Sequence, residues 1–423
     1  MPAFRPLLPA LIASPLMRGL IAFGSAEAAT RVVRLGVLLV VARRVSPEMF
    51  GTAALALSLF ELVRVLANAG IGQRLIVAAD DELPALCRTA HRLFWIVCLG
   101  VAGVQLGLAA IVTWMFDLPQ AGAMLALLAL VYCVMPPGLV QIFLTMRAMR
   151  MDSVARIAAT QNIADSLLTL SLVLVWPSAW AIVLPKLLAA PVWTFLARRS
   201  TAWTADRAAT PAPWREFALF GPAILASEML AAARLNADKL VVGALFGTEV
   251  LGLYYFAFNT GLGLTQSFVA ACNLVVFPHL AKADAANTQR EFRTAFIAGL
   301  ALLAPVVAAQ ALLAPFYVPV VFGETWVPAV PFIALLSLAA LPLYAGSLIG
   351  AAYRVEGRPQ RETLLTACAS AAALIGLAAG APFGLAGACI GYGTGLALVF
   401  LPATARRLAT PPQASPSIQG ALS

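Results

Sequence analysis

The chain has 423 residues, of which 61% are hydrophobic and 11% are charged, with a formal net charge of +9. A soluble domain carries about a quarter charged residues, so this composition and a mean hydropathy of +0.90 exclude an ordinary water-soluble fold. A bilayer core about 30 Å thick takes roughly 20 apolar residues per helix, and the length leaves room for about twelve spans.

Hydropathy along the chain predicts an all-α, polytopic membrane protein with about twelve transmembrane helices. The predicted spans form two sets of six, at residues 17–42, 50–71, 92–115, 121–146, 153–176 and 179–197, then at 215–245, 249–277, 292–316, 326–352, 361–381 and 384–405. This pattern divides the chain into an N-terminal six-helix lobe (1–200), a cytoplasmic linker (201–214), a C-terminal six-helix lobe (215–408) and a tail (409–423) that we expect to be disordered and cytoplasmic.

Lysine and arginine are concentrated in alternate loops. If the N-terminus is cytoplasmic, 20 of the 28 lie on the cytoplasmic side, 2 lie outside (Arg43 and Arg44) and 6 lie within spans. Because cytoplasmic loops are enriched in these residues, the pattern predicts a bacterial inner-membrane protein with both termini in the cytoplasm. Topology then accounts for the positive net charge, and a nucleic-acid partner is not needed to explain it.

Residues that could carry catalysis or hold a metal are sparse. The six cysteines show no CxxC spacing, and His91 and His279 are far apart in sequence, so we expect free thiols and no metal site. The predicted extracytoplasmic loops are too short for a catalytic domain, and neither a P-loop nor a Ser/His/Asp arrangement is present. The sequence therefore predicts a protein that is not an enzyme and needs no cofactor.

A weak internal repeat relates the two halves. Shifting the sequence by 201 residues places Glu27 on Glu228 and Gly51 on Gly252, and aligns the first two spans with the seventh and eighth. Because the shift preserves chain direction, it predicts two parallel halves, as in transporters built from repeats.

Three short motifs occur in the same order as in a known family. Residues 42–51 (ARRVSPEMFG) resemble the turn after the first span of the polysaccharide transporter (Wzx-like flippase) family; residues 236–239 (NADK) and 251–254 (LGLY) resemble its seventh and eighth spans, and residues 322–326 (FGETW) its loop between spans nine and ten. Val45 and Met49 depart from the family pattern, which more often has Leu and an acidic or polar residue there.

The resemblance implies a fold and a function. Members of this family, in the multidrug/oligosaccharidyl-lipid/polysaccharide exporter superfamily, have two six-helix lobes around a central cavity and work by alternating access. It implies a flippase for polyprenyl-diphosphate-linked oligosaccharides in exopolysaccharide, capsule or O-antigen synthesis, with membrane lipids, a polysaccharide polymerase and chain-length machinery as further partners. A multidrug or metabolite exporter of the same superfamily is the alternative, and a membrane-embedded glycosyltransferase or polymerase is a third.

Ionisable side chains inside the predicted spans are the candidate site residues, because charge in a bilayer core is costly and usually functional. At about 100° per residue, two helices carry their polar residues within roughly 60° of one another, namely Glu27, Arg31 and Arg34 in the first and Glu61, Arg64 and Asn68 in the second. Such stripes either line a cavity or tie neighbouring helices together. The residues predicted to line the substrate cavity are Arg31, Arg34, Arg64, Asn68, Lys186, Arg234 and Lys239.

The intramembrane acids form a second predicted set, for ion coupling or pairing: Glu27, Glu61, Asp165, Glu228 and Asp238. By helical spacing we expect the pairs Glu27–Arg31, Glu61–Arg64 and Arg234–Asp238. Asp165 and Glu228 have no such cation, so they are the candidates for coupling by H⁺ or by Na⁺, which amide oxygens next to Asp165 could help to bind. The alternative is that each acid only bonds a neighbouring helix.

Three further features predict architecture. Gly387, Gly391 and Gly395 recur every fourth residue, which favours close helix packing. Pro136 and Pro137 predict a kink, because proline removes a helical hydrogen bond. Tryptophans near the predicted outer ends resemble interfacial anchors: Trp114, Trp176, Trp180 and Trp326.

Overall fold

A computed structural model describes residues 33–68, 70–204, 211–218, 221–263 and 288–409, together with 265, 266 and 269. Regular secondary structure in these residues is helical, which confirms the predicted all-α class. Glu27, Arg31, the side chain of Asn68 and the tail beyond Ala409 lie outside the described residues.

The chain divides into two compact units, Met1–Asn236 and Ala237–Ser423. The helices that begin in the first unit are α1 (33–44), α2 (Pro47–Arg64), α3 (Ile71–Ile76), α4 (Leu83–Trp114), α5 (Pro119–Leu128), α6 (Val131–Val134), α7 (Pro136–Arg147), α8 (Met151–Val175), α9 (Trp180–Ser200), α10 (Arg215–Ala218) and α11 (Gly221–Ala257). The unit boundary falls inside α11. The predicted lobe boundaries, with a linker at 201–214, stay a prediction.

In the second unit α11 continues into a π-helical turn, and the described residues from 288 onward form five longer helices. These are α12 (Thr288–Tyr317), α13 (Val330–Leu338), α14 (Ala340–Val355), α15 (Pro359–Gly380) and α16 (Gly384–Ala409). The π turn after α11 is Phe258–Leu262; between the later helices lie a π turn at Val318–Phe322 and 3₁₀ turns at Glu324–Ala329 and Ala381–Phe383.

Membrane-spanning capacity is high. Eight helical segments of the described residues are long and apolar enough to cross a membrane, and a bent pair, Pro119–Val134 with Pro136–Arg147, would make nine. The 59° bend confirms the kink predicted from Pro136. Breaks inside these segments include Gly247, with φ 83°, and the turn Ala381–Phe383. The total of twelve spans in two lobes of six stays a prediction.

The start of α2 explains part of the first family motif. The side chain of Ser46 accepts a hydrogen bond from the backbone N–H of Met49 at 3.3 Å, Pro47 occupies the first helical turn, and Glu48 follows in the same turn. An N-cap serine, a proline whose missing N–H is not needed and an acid at the positive helix end each favour helix initiation here.

The core of the first unit contains a buried polar bond among its apolar contacts. The ring of Phe60 on α2 lies 5.8 Å from that of Tyr132 on α6. The hydroxyl of Tyr132 donates to the amide of Gln105, which in turn donates to the carbonyl of Leu125 at 2.7 Å. These bonds satisfy polar groups that would otherwise be costly to bury, and they connect α4, α5 and α6.

The segment that enters α10 is held to the first unit. Arg74 on α3 forms ion pairs with Glu82 at 3.0 Å and with Glu216 at 2.9 Å, and the hydroxyl of Thr89 donates to the carbonyl of Ala212. Partial burial lowers the pKa of Arg74, but hydrogen bonds and Coulombic attraction from the two carboxylates outweigh it and raise that pKa. Arg74 therefore remains a fixed cation between α3 and α10.

Glycines allow α15 and α16 to pack backbone to backbone. A Cβ at Gly391 would overlap the carbonyl of Gly376, and one at Gly387 would overlap the carbonyl of Gly380. The small-residue face predicted for the last span is therefore confirmed as a helix-packing surface.

The interpretation of Trp326 as an interfacial anchor was wrong. Its side chain is fully buried and stacks on Phe256 with ring centroids 4.2 Å apart, while Phe322 meets Phe256 edge-on at 5.0 Å. Gly323, at φ 104°, reverses the chain between these aromatics, which few other residues could do. The FGETW motif thus forms an aromatic cluster, whereas Trp114 is 83% exposed, as expected of an anchor.

Candidate functional site

A cavity of about 610 Å³ lies within the first unit and is bordered by residues of α1, α2, α3, α6, α7, α8 and α9. Its wall combines the apolar side chains of Phe60, Met135 and Trp193 with charged and amide groups. The cavity brings together four of the predicted site residues: Arg34, Glu61, Arg64 and Lys186. A pocket with an apolar body and a few polar groups is typical of ligand sites.

The α2 charges form the predicted pair. Arg64 and Glu61 are 2.8 Å apart at spacing i, i+3, with side chains 45% and 30% exposed. Arg34 on α1 lines the same cavity and makes no ion pair with any residue that the structure describes. Glu61 and Arg64 therefore form the expected pair and also line the cavity, and because the pair lies within α2 it does not tie neighbouring helices together.

Asp165 does have a cation nearby, contrary to the sequence prediction. Its Oδ2 lies 3.4 Å from Nζ of Lys186. Local helical spacing could not reveal this pair, because α8 and α9 are separate helices that pack side by side after a short turn. The other carboxylate oxygen, Oδ1, is buried without a hydrogen-bond partner in the described part of the chain.

A second charged cluster is buried in the second unit. Nζ of Lys239 contacts both oxygens of Asp238, at 3.1 and 3.3 Å, and lies 3.8 Å from the ring centroid of Phe258. The hydroxyl of Tyr254 donates to the same carboxylate at 2.9 Å. We expected Asp238 to pair with Arg234; its partners are instead Lys239 and Tyr254. Adjacent helical residues do not normally face each other, so this pair was missed.

The remaining predicted residues are placed less specifically. Arg234 is exposed, and Glu228 is half-buried without an ion pair to any described residue. Their predicted roles in substrate binding and coupling stay predictions, as do those of the residues that were brought together.

The cavity wall also contains amide side chains that were not predicted to bind the substrate. Gln73 on α3 and Gln161 and Asn162 on α8 line the cavity. The signal for α8 was available: Val154, Ala158, Gln161, Asn162 and Asp165 recur at helical spacing on one face. For α3 no such signal exists, because it is a six-residue helix within a loop.

Two solved structures share this fold. The inward-facing structure of a multidrug resistance MATE family transporter of the MOP superfamily aligns with a TM-score of 0.70 and 13% identity, covering 89% of this chain and 93% of that one. The lipid II flippase MurJ in an inward closed conformation aligns with a TM-score of 0.76 and 12% identity, covering 93% and 88%. The chain is therefore a multi-pass membrane protein with the fold of these transporters.

Sequence comparison gives the family. The profile of the family described as polysaccharide biosynthesis protein matches residues 40–331, and the chain belongs to this family. This confirms the resemblance inferred from the motifs.

Two curated relatives extend the comparison. The lipopolysaccharide biosynthesis protein WzxC of Escherichia coli (strain K12) is 23% identical over 349 residues, which are 79% of this chain and 69% of that protein. The succinoglycan biosynthesis transport protein ExoT of Rhizobium meliloti (strain 1021) is 24% identical over 310 residues, which are 71% of this chain and 61% of that protein. The chain thus spans less than two thirds of ExoT and slightly more than two thirds of WzxC.

Proposed function

We propose that this protein is a flippase that moves polyprenyl-diphosphate-linked oligosaccharides across the bacterial inner membrane by alternating access, for exopolysaccharide, capsule or O-antigen synthesis. Family membership, the names of WzxC and ExoT and the fold shared with a lipid II flippase support the proposal.

The observation that carries the proposal is the cavity of the first unit. Arg34, Arg64 and Lys186 supply positive charge inside a helical unit otherwise suited to lipid, and a diphosphate is the anionic part of the substrate. A hydrophilic head group needs such a polar passage because hydrocarbon cannot solvate it, while the prenyl chain can remain in lipid.

A multidrug or metabolite exporter is the second candidate, and the shared fold with the MATE transporter favours it. The two candidates differ in substrate: the exporter would not require a lipid diphosphate. In neither candidate does this chain catalyse a reaction. A polysaccharide polymerase and chain-length machinery, which would consume the flipped units, are the proposed partners.

Deletion of the gene tests the substrate class. The flippase proposal expects polyprenyl-linked repeat units to accumulate on the cytoplasmic leaflet and surface polysaccharide to disappear, with recovery by the wild-type gene and not by an Arg64→Ala variant expressed at the same level. Normal polysaccharide in the deletion strain, together with altered drug resistance, would favour the exporter.

Orientation with both termini in the cytoplasm is part of the proposal, supported by the 20 to 2 distribution of Lys and Arg. Cysteines introduced at Trp203 and Asp117 test it. An impermeant thiol reagent added from the periplasm should label position 117 and not position 203. The reverse pattern would contradict the orientation.

Coupling to an H⁺ or Na⁺ gradient is also proposed. Because Asp165 pairs with Lys186, its carboxylate would exchange the lysine for a coupling ion during the transport cycle. Glu228 remains the candidate without a described ion pair.

A further inference from the structure

Three groups in the cavity wall differ chemically from the cations beside them. Gln161 and Asn162 lie on α8 about 5 Å along the helix from Asp165, and Trp193 lies on α9 about 10 Å from Lys186. On each helix these groups lie farther from the turn between α8 and α9 than the charged residue does. The amides and the ring therefore lie on the same side of the Asp165–Lys186 ion pair.

The groups are available and oriented. Gln161 and Asn162 are half-buried, and neither side-chain amide makes a hydrogen bond with another residue that the structure describes. Trp193 is half-buried, and a Cβ added at Gly138 on α7 would lie 3.3 Å from its ring, so contact with α7 fixes the indole. A rigid aromatic face and two amides without a described hydrogen-bond partner therefore border the same cavity.

We propose that Trp193, Gln161 and Asn162 form a sugar-binding subsite that recognises neutral pyranose units of the transported head group. This inference rests on the proposed function, and it assigns the glycan to groups other than the cations.

The chemistry distinguishes the two parts of the substrate. Each side-chain amide can donate and accept hydrogen bonds, and it therefore matches sugar hydroxyls, which also do both. A diphosphate has only acceptors and is better matched by guanidinium and ammonium groups. The apolar C–H face of a pyranose packs on an aromatic ring, and a tryptophan supplies a large, rigid surface for it at low entropic cost.

Binding to the purified full-length protein in detergent tests the subsite. The probes are farnesyl diphosphate and farnesyl diphosphate carrying a neutral disaccharide, prepared with glucose, galactose, mannose or N-acetylglucosamine. The measured quantity is the ratio of the two Kd values. We expect the wild type to bind at least one glycosylated probe about tenfold or more tightly than the bare diphosphate, a step of about 1.4 kcal/mol.

Variants test which residues cause the preference for glycosylated probes. Trp193→Ala should reduce the ratio to below about threefold, and Gln161→Ala/Asn162→Ala should reduce it several-fold, while Kd for bare farnesyl diphosphate stays within about threefold of wild type. Trp193→Phe retains an aromatic face and should keep most of the preference, which protects the test if the alanine variant misfolds. Trp180→Ala, on the same helix but not among the cavity residues, is the matched control and should change neither Kd.

The outcomes separate the two proposals. An unchanged ratio in the Trp193 and amide variants, or a wild type without preference for any glycosylated probe, overturns the subsite while the flippase proposal stands on the diphosphate. A wild type that binds neither kind of probe contradicts the flippase proposal itself, and with it the subsite.

Discussion

Replacement of Lys239 by methionine isolates the energetics of the buried cluster in the second unit. Met keeps much of the aliphatic stem but removes the ammonium that contacts both oxygens of Asp238. The side chains of Lys239 and Asp238 are 5% and 2% exposed, so water cannot replace the lost partner. Only the hydroxyl of Tyr254 would remain on the carboxylate among its described partners.

The magnitude follows from this geometry. Removing one member of a buried ion pair leaves an uncompensated charge and destabilises a protein by about 3–5 kcal/mol. Tyr254→Phe removes one hydrogen bond to a charged acceptor, for which about 1.5–3 kcal/mol is expected. Asp238→Asn/Lys239→Met removes both charges together and should lie much closer to wild type, because neutral replacement of a buried pair is often tolerated.

The free energy of unfolding can be compared by titrating the purified protein with denaturing detergent and following the reaction of a buried thiol such as Cys389 with a fluorescent maleimide. The expected order of stability is wild type, then the double variant, then Lys239→Met. If Lys239→Met is as stable as wild type, or if the double variant is no more stable than the single one, the ion pair does not contribute as reasoned. A transport assay of the double variant then tests whether Lys239 also binds substrate. If Lys239 only stabilises the protein, the double variant should recover transport; if Lys239 binds substrate, transport should remain impaired.

Two further predictions concern other helix contacts. Asp165→Asn should lower transport in vesicles several-fold and weaken its dependence on the pH or Na⁺ gradient, because the variant cannot exchange its lysine partner for a coupling ion; an unaltered gradient dependence would remove this residue from coupling. Gly391→Ala should destabilise the protein by about 1–3 kcal/mol in thermal unfolding, because its Cβ would overlap the carbonyl of Gly376. The control Gly393→Ala meets only the Cβ of Ala339, at 3.8 Å, and should be near wild type; equal effects would contradict the packing argument.

Helical phase was sufficient for the pair on α2. It placed Glu61 and Arg64 on a common face, and their 2.8 Å contact follows from that spacing. It also identified the glycine face of α16, because the packing of two helices through small residues depends on spacing along each helix separately. Long apolar segments likewise marked the helices, since composition alone distinguishes a lipid-facing helix from a soluble one.

Helical phase could not predict contacts between residues on different helices. The contact of Asp165 with Lys186 depends on how α8 and α9 pack, and no spacing within either helix contains that information. The burial of Trp326 depends on the reversal at Gly323 and on the position of Phe256, some 70 residues earlier. Spacing also failed within α11, where Asp238 contacts Lys239 and accepts a hydrogen bond from Tyr254 and does not pair with Arg234.

Burial decides what each ion pair can do, and the Asp238–Lys239 pair is the most buried of those that the structure describes. Around the cavity, the pairs of Arg64 and Lys186 are 18–45% exposed by side chain, and exposed or partly exposed pairs contribute about 0–1 kcal/mol. The more exposed of the two, Glu61–Arg64, can therefore open at little cost, whereas opening the Asp165–Lys186 pair costs more because Oδ1 of Asp165 is already buried without a described partner. The Asp238–Lys239 pair cannot open at little cost, because opening it would leave buried charge without a partner. Rearrangement during transport should accordingly begin at the cavity pairs, while the cluster around Asp238 keeps α11 attached to the π-helical turn that follows it.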